Sequence, residues 1–330
     1  MRAGQLIQQT DGYDIVVSNS LEKPKPKAGQ VLVKVAYAGV NHADLYQRAG
    51  RYPLPNETQH IPGLECSGVV ESTGEGVTEW SVGDAVCALA TGGCYAEYVV
   101  VPSAQCLSVP KGITLAQAAC FPEACATVWL TVFQQAALKA GETLLVHGGS
   151  SGIGVMAIQM AKAFGANVIT TAGTTEKCEA CDVLGATAIN YKTHDFVTEV
   201  KDATNGKGVD VVLDMVGGSY IERNFKAMAA GARMVSIALI DGAKIEANIG
   251  GFFLKNLSWR ATTLRSQPPE VKAQIMRELA EYVMPKIVAG EIKAVMDSEF
   301  SLENVEKAHQ KMHQSLHIGK ITLDIEASSQ

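Results

Sequence analysis

Between Leu144 and Gln159 the chain reads Leu144-Leu145-Val146-His147-Gly148-Gly149-Ser150-Ser151-Gly152-Ile153-Gly154-Val155-Met156-Ala157-Ile158-Gln159. An apolar run of strand length ends in a glycine-rich turn, and an apolar stretch with helical spacing follows at once. This unit sits inside a longer alternation. Strand candidates occur at Thr143 to His147, Asn167 to Thr171, Ala188 to Tyr191, Val209 to Met215, Arg233 to Ala238 and Trp259 to Leu264, with helical segments between most of them. That order predicts an α/β fold with a doubly wound parallel sheet.

The turn itself points to an anion. Gly149 is expected to permit the tight turn, Gly152 to let backbone N–H groups approach a pyrophosphate, and Gly154 to let the helix start lie close to the strand. A helix amino terminus offers unpaired N–H groups and a positive dipole end. The pattern is Gly-x-x-Gly-x-Gly, with Ser151 where the usual fingerprint has its middle glycine, so an ordinary strand-to-helix turn is the competing reading. The context favours a dinucleotide on a Rossmann-type domain, held by Gly149, Ser151, Gly152, Ile153 and Gly154.

Proteins that prefer NAD usually carry an acidic residue at the end of the second strand, to hold the ribose 2′-OH. Here that strand runs into Thr170-Thr171-Ala172-Gly173-Thr174-Thr175-Glu176-Lys177, with no carboxylate at the strand end. Small residues such as Gly173 leave space for a 2′-phosphate, and Lys177 is placed to offset its charge, which favours NADPH. Glu176 is the complication: turned toward the ribose, it would favour NAD. In the competing reading, Glu176 and Lys177 form only the exposed first turn of a helix. Tyr191, ending the third strand candidate, is placed to flank the adenosine phosphate.

With 330 residues the chain exceeds the usual size of one core, and two domains with a cleft between them are expected. Residues before about 110 carry short β-type runs, such as Gln30 to Val35 and Tyr95 to Val101, and read as a β-rich, barrel-like unit. After Pro268-Pro269 come a helical stretch through Ile287, a strand near Ala294 to Phe300, a helix from Leu302 to Met312 and a strand from Lys320 to Ile325. This tail breaks the alternation and is expected to return to the first domain.

A formal net charge of −6 lacks the basic excess that nucleic-acid phosphates attract, so nucleic acid is not expected as a partner. No apolar run reads as long enough to span a bilayer and no leader is evident at the amino terminus, so no membrane partner and a cytoplasmic location are expected. The eight cysteines lie scattered in apolar segments, as reduced thiols do. Cys178-x-x-Cys181 has no second pair at zinc spacing and reads as two packing thiols.

Several segments together resemble the medium-chain dehydrogenase/reductase superfamily, specifically its quinone oxidoreductase branch. They are Ala38-Gly39-Val40-Asn41-His42-Ala43-Asp44, Arg51-Tyr52-Pro53, Pro62-Gly63-Leu64-Glu65-Cys66-Ser67-Gly68, Val82-Gly83-Asp84-Ala85-Val86, the phosphate loop and His317-Ile318-Gly319-Lys320-Ile321. The likeness covers nearly the whole chain. It implies a GroES-like catalytic domain from residues 1–122 and 265–330 and a Rossmann NADP-binding domain from 123–264. It also implies a homodimer, paired through the sixth strands of the cofactor domains; a monomer is the alternative.

In zinc alcohol dehydrogenases of this superfamily a cysteine and a histidine occupy the positions of Asn41 and Leu64. An amide is a poor zinc ligand and leucine is none, and Glu123 at the third position cannot hold an ion alone. The four-cysteine lobe of structural zinc is missing too, so no metal is expected. The resemblance further implies that Asn41 and Tyr52 line the site near the nicotinamide and donate hydrogen bonds to a developing oxyanion, with Thr127 at the nicotinamide end. In simpler readings Asn41 and Asp44 cap a helix, Tyr52 is a loop aromatic and Thr127 faces a helix groove. His42 and His147 are read as structural.

The expected activity is metal-free, NADPH-dependent reduction of a quinone or similar conjugated carbonyl. The alternatives are an enoyl or alkenal double-bond reductase of the same superfamily and, in another class, an NADPH-binding structural or RNA-associated protein.

Overall fold

The computed structural model describes residues 1–52 and 60–327. Pro53, part of one segment that carries the resemblance, lies outside the described residues. The chain divides into two compact units: Met1–Ala124 with Pro268–Met284 and Ala294–Gln330, and Cys125–Gln267 with Pro285–Lys293.

The second unit holds a six-stranded sheet, and every pairing in it is parallel. Its spatial order is Thr187–Asn190, Asn167–Ala172, Thr143–His147, Val209–Asp214, Met228–Ser236, Ser258–Ala261. The chain therefore winds outward from Thr143–His147 in one direction, returns, and winds outward in the other. This is the doubly wound, Rossmann-type order, with its switch point beside the carboxyl end of the first strand. Leu144, Leu145 and Val146 are wholly buried, as a strand covered on both faces requires.

Two strand boundaries differ from expectation. The fifth strand begins at Met228, directly after the helix Tyr220–Ala227, with a register shift against its neighbour. The sixth ends at Ala261, well short of Leu264. Beyond it the Thr263 and Ser266 hydroxyls bond each other at 2.5 Å and Gln267 N–H donates to Leu264 O at 3.0 Å, so side chains draw the backbone into a turn.

The tail does not return in one piece. Pro285–Lys293 belongs to the second unit because Gln159 clips it there: Nε2 donates to Lys293 O at 3.0 Å and Oε1 accepts from Lys293 N–H at 2.9 Å.

The first unit is β-rich. Its seven-stranded sheet is organised on the long strand Gln30–Val40, which pairs antiparallel with Glu65–Thr73, with Tyr98–Pro102 and with Lys320–Asp324. Val31, Val33, Val35, Val70, Val101, Ile321 and Leu323 form much of its core. The final strand thus lies beside residues some 280 positions earlier, as Lys320 beside Val40 illustrates.

Against expectation, among the described residues one helical stretch, Leu115–Gln135, is long and apolar enough to cross a membrane by length and composition. Its apolar window is 78% buried inside the protein, as the core helix of a globular fold would be.

Candidate functional site

In the second unit the first strand ends at His147 and the chain turns on Gly148, whose φ of +70° lies in the left-handed region. The tight turn therefore belongs to Gly148. Gly149, expected to make it, serves another purpose: a β-carbon there would lie 2.0 Å from Thr170 Oγ1 on the neighbouring strand. A β-carbon on Gly154 would lie 2.3 Å from Gly148 O, so Gly154 does let the helix start close on the strand end.

Ser151 is the N-cap of the helix Gly152–Ala163, and its Oγ accepts from Gly154 N–H at 3.0 Å. The N–H groups of Gly152 and Ile153 precede the first possible intrahelical acceptor. Two glycines without room for a side chain and a helix amino terminus thus make a cradle of backbone donors that suits a pyrophosphate. The buried His147 bonds Thr171 and Asn224 at 3.0 and 2.7 Å and is occupied inside the unit.

The second strand, Asn167–Ala172, leads through Gly173 to Thr174, which caps the helix Thr175–Val183 by accepting from Lys177 N–H at 3.2 Å. Glu176 and Lys177 therefore occupy the first turn of that helix, Glu176 exposed and Lys177 half-buried. A β-carbon on Gly173 would meet Tyr191 Oη at 2.8 Å, so the fold brings Gly173 and Tyr191 together. Burial raises the Cys178 and Cys181 thiols, Cys181 to about 12, and both behave as packing groups. Thr127 is buried on the helix Pro122–Val128, and its carbonyl accepts from Thr131 Oγ1 at 2.6 Å.

In the first unit Asn41 precedes the helix His42–Arg48, and its N–H donates to Asp44 Oδ2 at 2.9 Å, so the capping reading holds. Its carboxamide is engaged elsewhere. Oδ1 accepts from Lys320 Nζ at 2.7 Å, and Nδ2 donates to Glu65 Oε1 at 2.9 Å. Lys320 and Glu65 are themselves an ion pair at 2.5 Å. Neither was expected at the site, although both stand in the segments that carry the resemblance. Tyr52 is half-buried and ends the described stretch before residue 60.

Below Asn41 lies a second buried group. Tyr95 Oη donates to Asp44 Oδ2 at 2.9 Å and lies 3.2 Å from His309 Nε2. Because the phenol has one proton, His309 Nε2 must be the donor in that contact, and Nδ1 is left buried without a partner. Burial pushes His309 down to about 3 and Asp44 up to about 6.

Residues 27–111 match the family described as alcohol dehydrogenase GroES-like domain, and residues 152–281 match zinc-binding dehydrogenase. The quinone oxidoreductase of Rattus norvegicus is 31% identical over 326 residues, covering 98% of this chain and 97% of that protein. The structure of Escherichia coli quinone oxidoreductase complexed with NADPH superposes with a TM-score of 0.85 at 27% identity, covering 98% and 99% of the two chains. A structure of CurK enoyl reductase superposes at 0.83 with 25% identity, covering 98% of each chain. A further relative, phthioceranic/hydroxyphthioceranic acid synthase of Mycobacterium tuberculosis, is 33% identical over 91% of this chain, which spans only 14% of that protein's length.

One family description names zinc, and the residues here do not fit that ion. The Asn41 oxygen is taken by a lysine ammonium, Leu64 is buried and apolar, and among the described residues no three His, Cys, Asp or Glu side chains converge. In fold, in the matched segments and in relatives that align end to end, the chain belongs to the medium-chain dehydrogenase/reductase superfamily, on the side of its quinone oxidoreductases.

Proposed function

We propose that this protein is a metal-independent oxidoreductase that takes NADPH and passes its hydride to a quinone, giving the hydroquinone, or to a similar conjugated carbonyl. The observation that carries the reading is the cradle at the end of the strand Thr143–His147, where Gly149 and Gly154 leave no space for a β-carbon. Gly173, Lys177 and Tyr191 are its partners for the adenosine end, with no carboxylate at the strand end Ala172 to select NADH.

Bound NADPH supplies the hydride. The protein then needs to hold the acceptor and offer donors to an oxygen that gains negative charge. Asn41 and Tyr52 are the proposed donors, with Thr127 positioning the nicotinamide end. Quinone reduction yields a comparatively acidic phenol, so such hydrogen bonds suffice where a simple ketone would need a Lewis acid. A proton from water completes the hydroquinone.

A second reading, reduction of an activated carbon–carbon double bond, is favoured by the likeness to an enoyl reductase structure. NADPH consumption against a panel of quinones, short enals and enoyl thioesters separates the two. Consumption with no member of the panel would reject both.

The same reading includes a cytoplasmic homodimer. The eight cysteines are all free and buried, as suits a reducing compartment. The strand Ser258–Ala261 is an open sheet edge whose residues are all exposed, and Phe253, Leu254 and Ile249 stand exposed nearby in sequence.

A further inference from the structure

Glu65 and Lys320 form an ion pair shut away from water, the residues being 0% and 3% exposed. Such pairs add little stability over apolar residues of the same volume, because both charges must be desolvated. Stability alone therefore does not account for this one, and its third member does.

Lys320 Nζ donates to Glu65 Oε1 at 2.5 Å, to Asn41 Oδ1 at 2.7 Å and to Val40 O at 3.2 Å. Glu65 Oε1 accepts from Asn41 Nδ2, and Oε2 accepts from Glu123 N–H at 2.9 Å. Both ends of the Asn41 carboxamide are thereby assigned, its oxygen facing the cation and its nitrogen the carboxylate. The second Nδ2 proton has only the long contact to Gly39 O, at 3.4 Å. A cation at an amide oxygen draws density from the nitrogen and strengthens its N–H groups as donors. Burial alone would push the lysine down, but Glu65 outweighs it and holds the ammonium above the ordinary lysine range.

By the resemblance, positions 41 and 64 are those where the zinc enzymes of this superfamily carry ligands, and here the strand Lys320–Asp324 brings an ammonium onto Asn41 and onto Glu65, the residue after Leu64. We propose that Lys320 is a positioning residue for the reduction: its ammonium, fixed by Glu65, takes the electrostatic place of a metal ion and aims and polarises the Asn41 amide. The inference rests on the reductase reading above.

The test must avoid stranding one buried charge, so the pair is neutralised together in Glu65→Gln/Lys320→Met. The folded double variant should lose about ten-fold or more in kcat with the best acceptor of the panel, while KM for NADPH stays within about two-fold. Asn41→Ala should cost a similar factor in the wild type and almost nothing further in the double variant, as residues acting through one another do. Lys320→Arg should keep most of kcat.

A readout independent of turnover is the Asn41 side-chain amide signal in ¹⁵N-NMR, assigned by its loss in Asn41→Ala. It should be slow to exchange with solvent in the wild type and fast in the double variant. Retained kcat in the folded double variant, independent effects of Asn41→Ala, or an unchanged amide signal would each overturn the proposal. If the wild type reduces nothing in the panel, the reductase reading fails separately, and the amide signal still decides whether Lys320 holds Asn41.

Discussion

Gly149 and Thr170 stand so close that a β-carbon on the glycine would lie 2.0 Å from the threonine hydroxyl. The hydroxyl cannot simply swing away, since it donates to Val146 O at 2.7 Å inside the sheet. Gly149→Ala must therefore displace the loop, at a cost of roughly 1–3 kcal/mol by analogy with overpacked cores. NADPH affinity should fall about ten-fold or more as the backbone donors move. Thermal melting and fluorescence titration check both, and wild-type affinity in the variant would show that the loop does not hold the cofactor.

Lys177 tests the choice of dinucleotide. It lies in the first turn of the helix that follows the second strand, and in the proposed reading its ammonium meets the 2′-phosphate. Lys177→Ala should weaken NADPH binding by about ten-fold, the scale of one lost charge-assisted contact, and leave NADH binding unchanged. Equal losses for both cofactors, measured by calorimetry, would place Lys177 away from the 2′-phosphate.

Asp44 and His309 give stability an unusual pH dependence. The folded pKa of Asp44, about 6, is above its ordinary 3.8, so the folded state binds the proton more tightly and stability falls as pH rises from about 4 to 6. The folded pKa of His309, about 3, is below its ordinary 6.5, so its contribution is present above pH 6.5 and is lost as pH falls toward 3. The two opposing slopes, integrating to on the order of 3 and 5 kcal/mol, largely cancel between pH 4 and 6. Across this range His309→Gln should make stability decline with rising pH, and Asp44→Asn should make it increase. Urea melts at several pH values decide this, and identical slopes in both variants would contradict it.

The open edge at Ser258–Ala261 predicts a dimer in solution. Leu254 is 85% exposed and Phe253 83%. Leu254→Asp should shift sedimentation from dimer toward monomer, because a charge buried in an apolar interface costs several kcal/mol. A wild type that sediments as a monomer at micromolar concentration would remove the dimer from the reading.

Much of the cofactor unit is legible in the sequence, because its signals are local. Leu144 to Gln159 carries strand, turn and helix in sixteen consecutive positions, and the six strand candidates fell on the six strands. The turn glycine was misplaced by one residue, since sequence shows which residues lack a β-carbon but not which neighbour forbids it. Thr170 forbids it at Gly149, and φ demands it at Gly148. The Asn41 site was legible only by resemblance. Its partner Lys320 is 279 positions away, and a charge inside an apolar strand carries no local mark of the carboxylate that will meet it.

The ion pair between Glu65 and Lys320 spans 255 positions, and this separation sets an order of events during synthesis. When the amino-terminal strands leave the ribosome, Glu65 has no counterion, so its sheet can collapse but cannot seal around a bare carboxylate without a large penalty. The second unit is complete once Lys293 has emerged, whereas the first must keep its seam open until Lys320 arrives. The strand Lys320–Asp324 therefore works as a latch, and a nascent chain stalled before Lys320 would expose an unsealed sheet to chaperones and proteases.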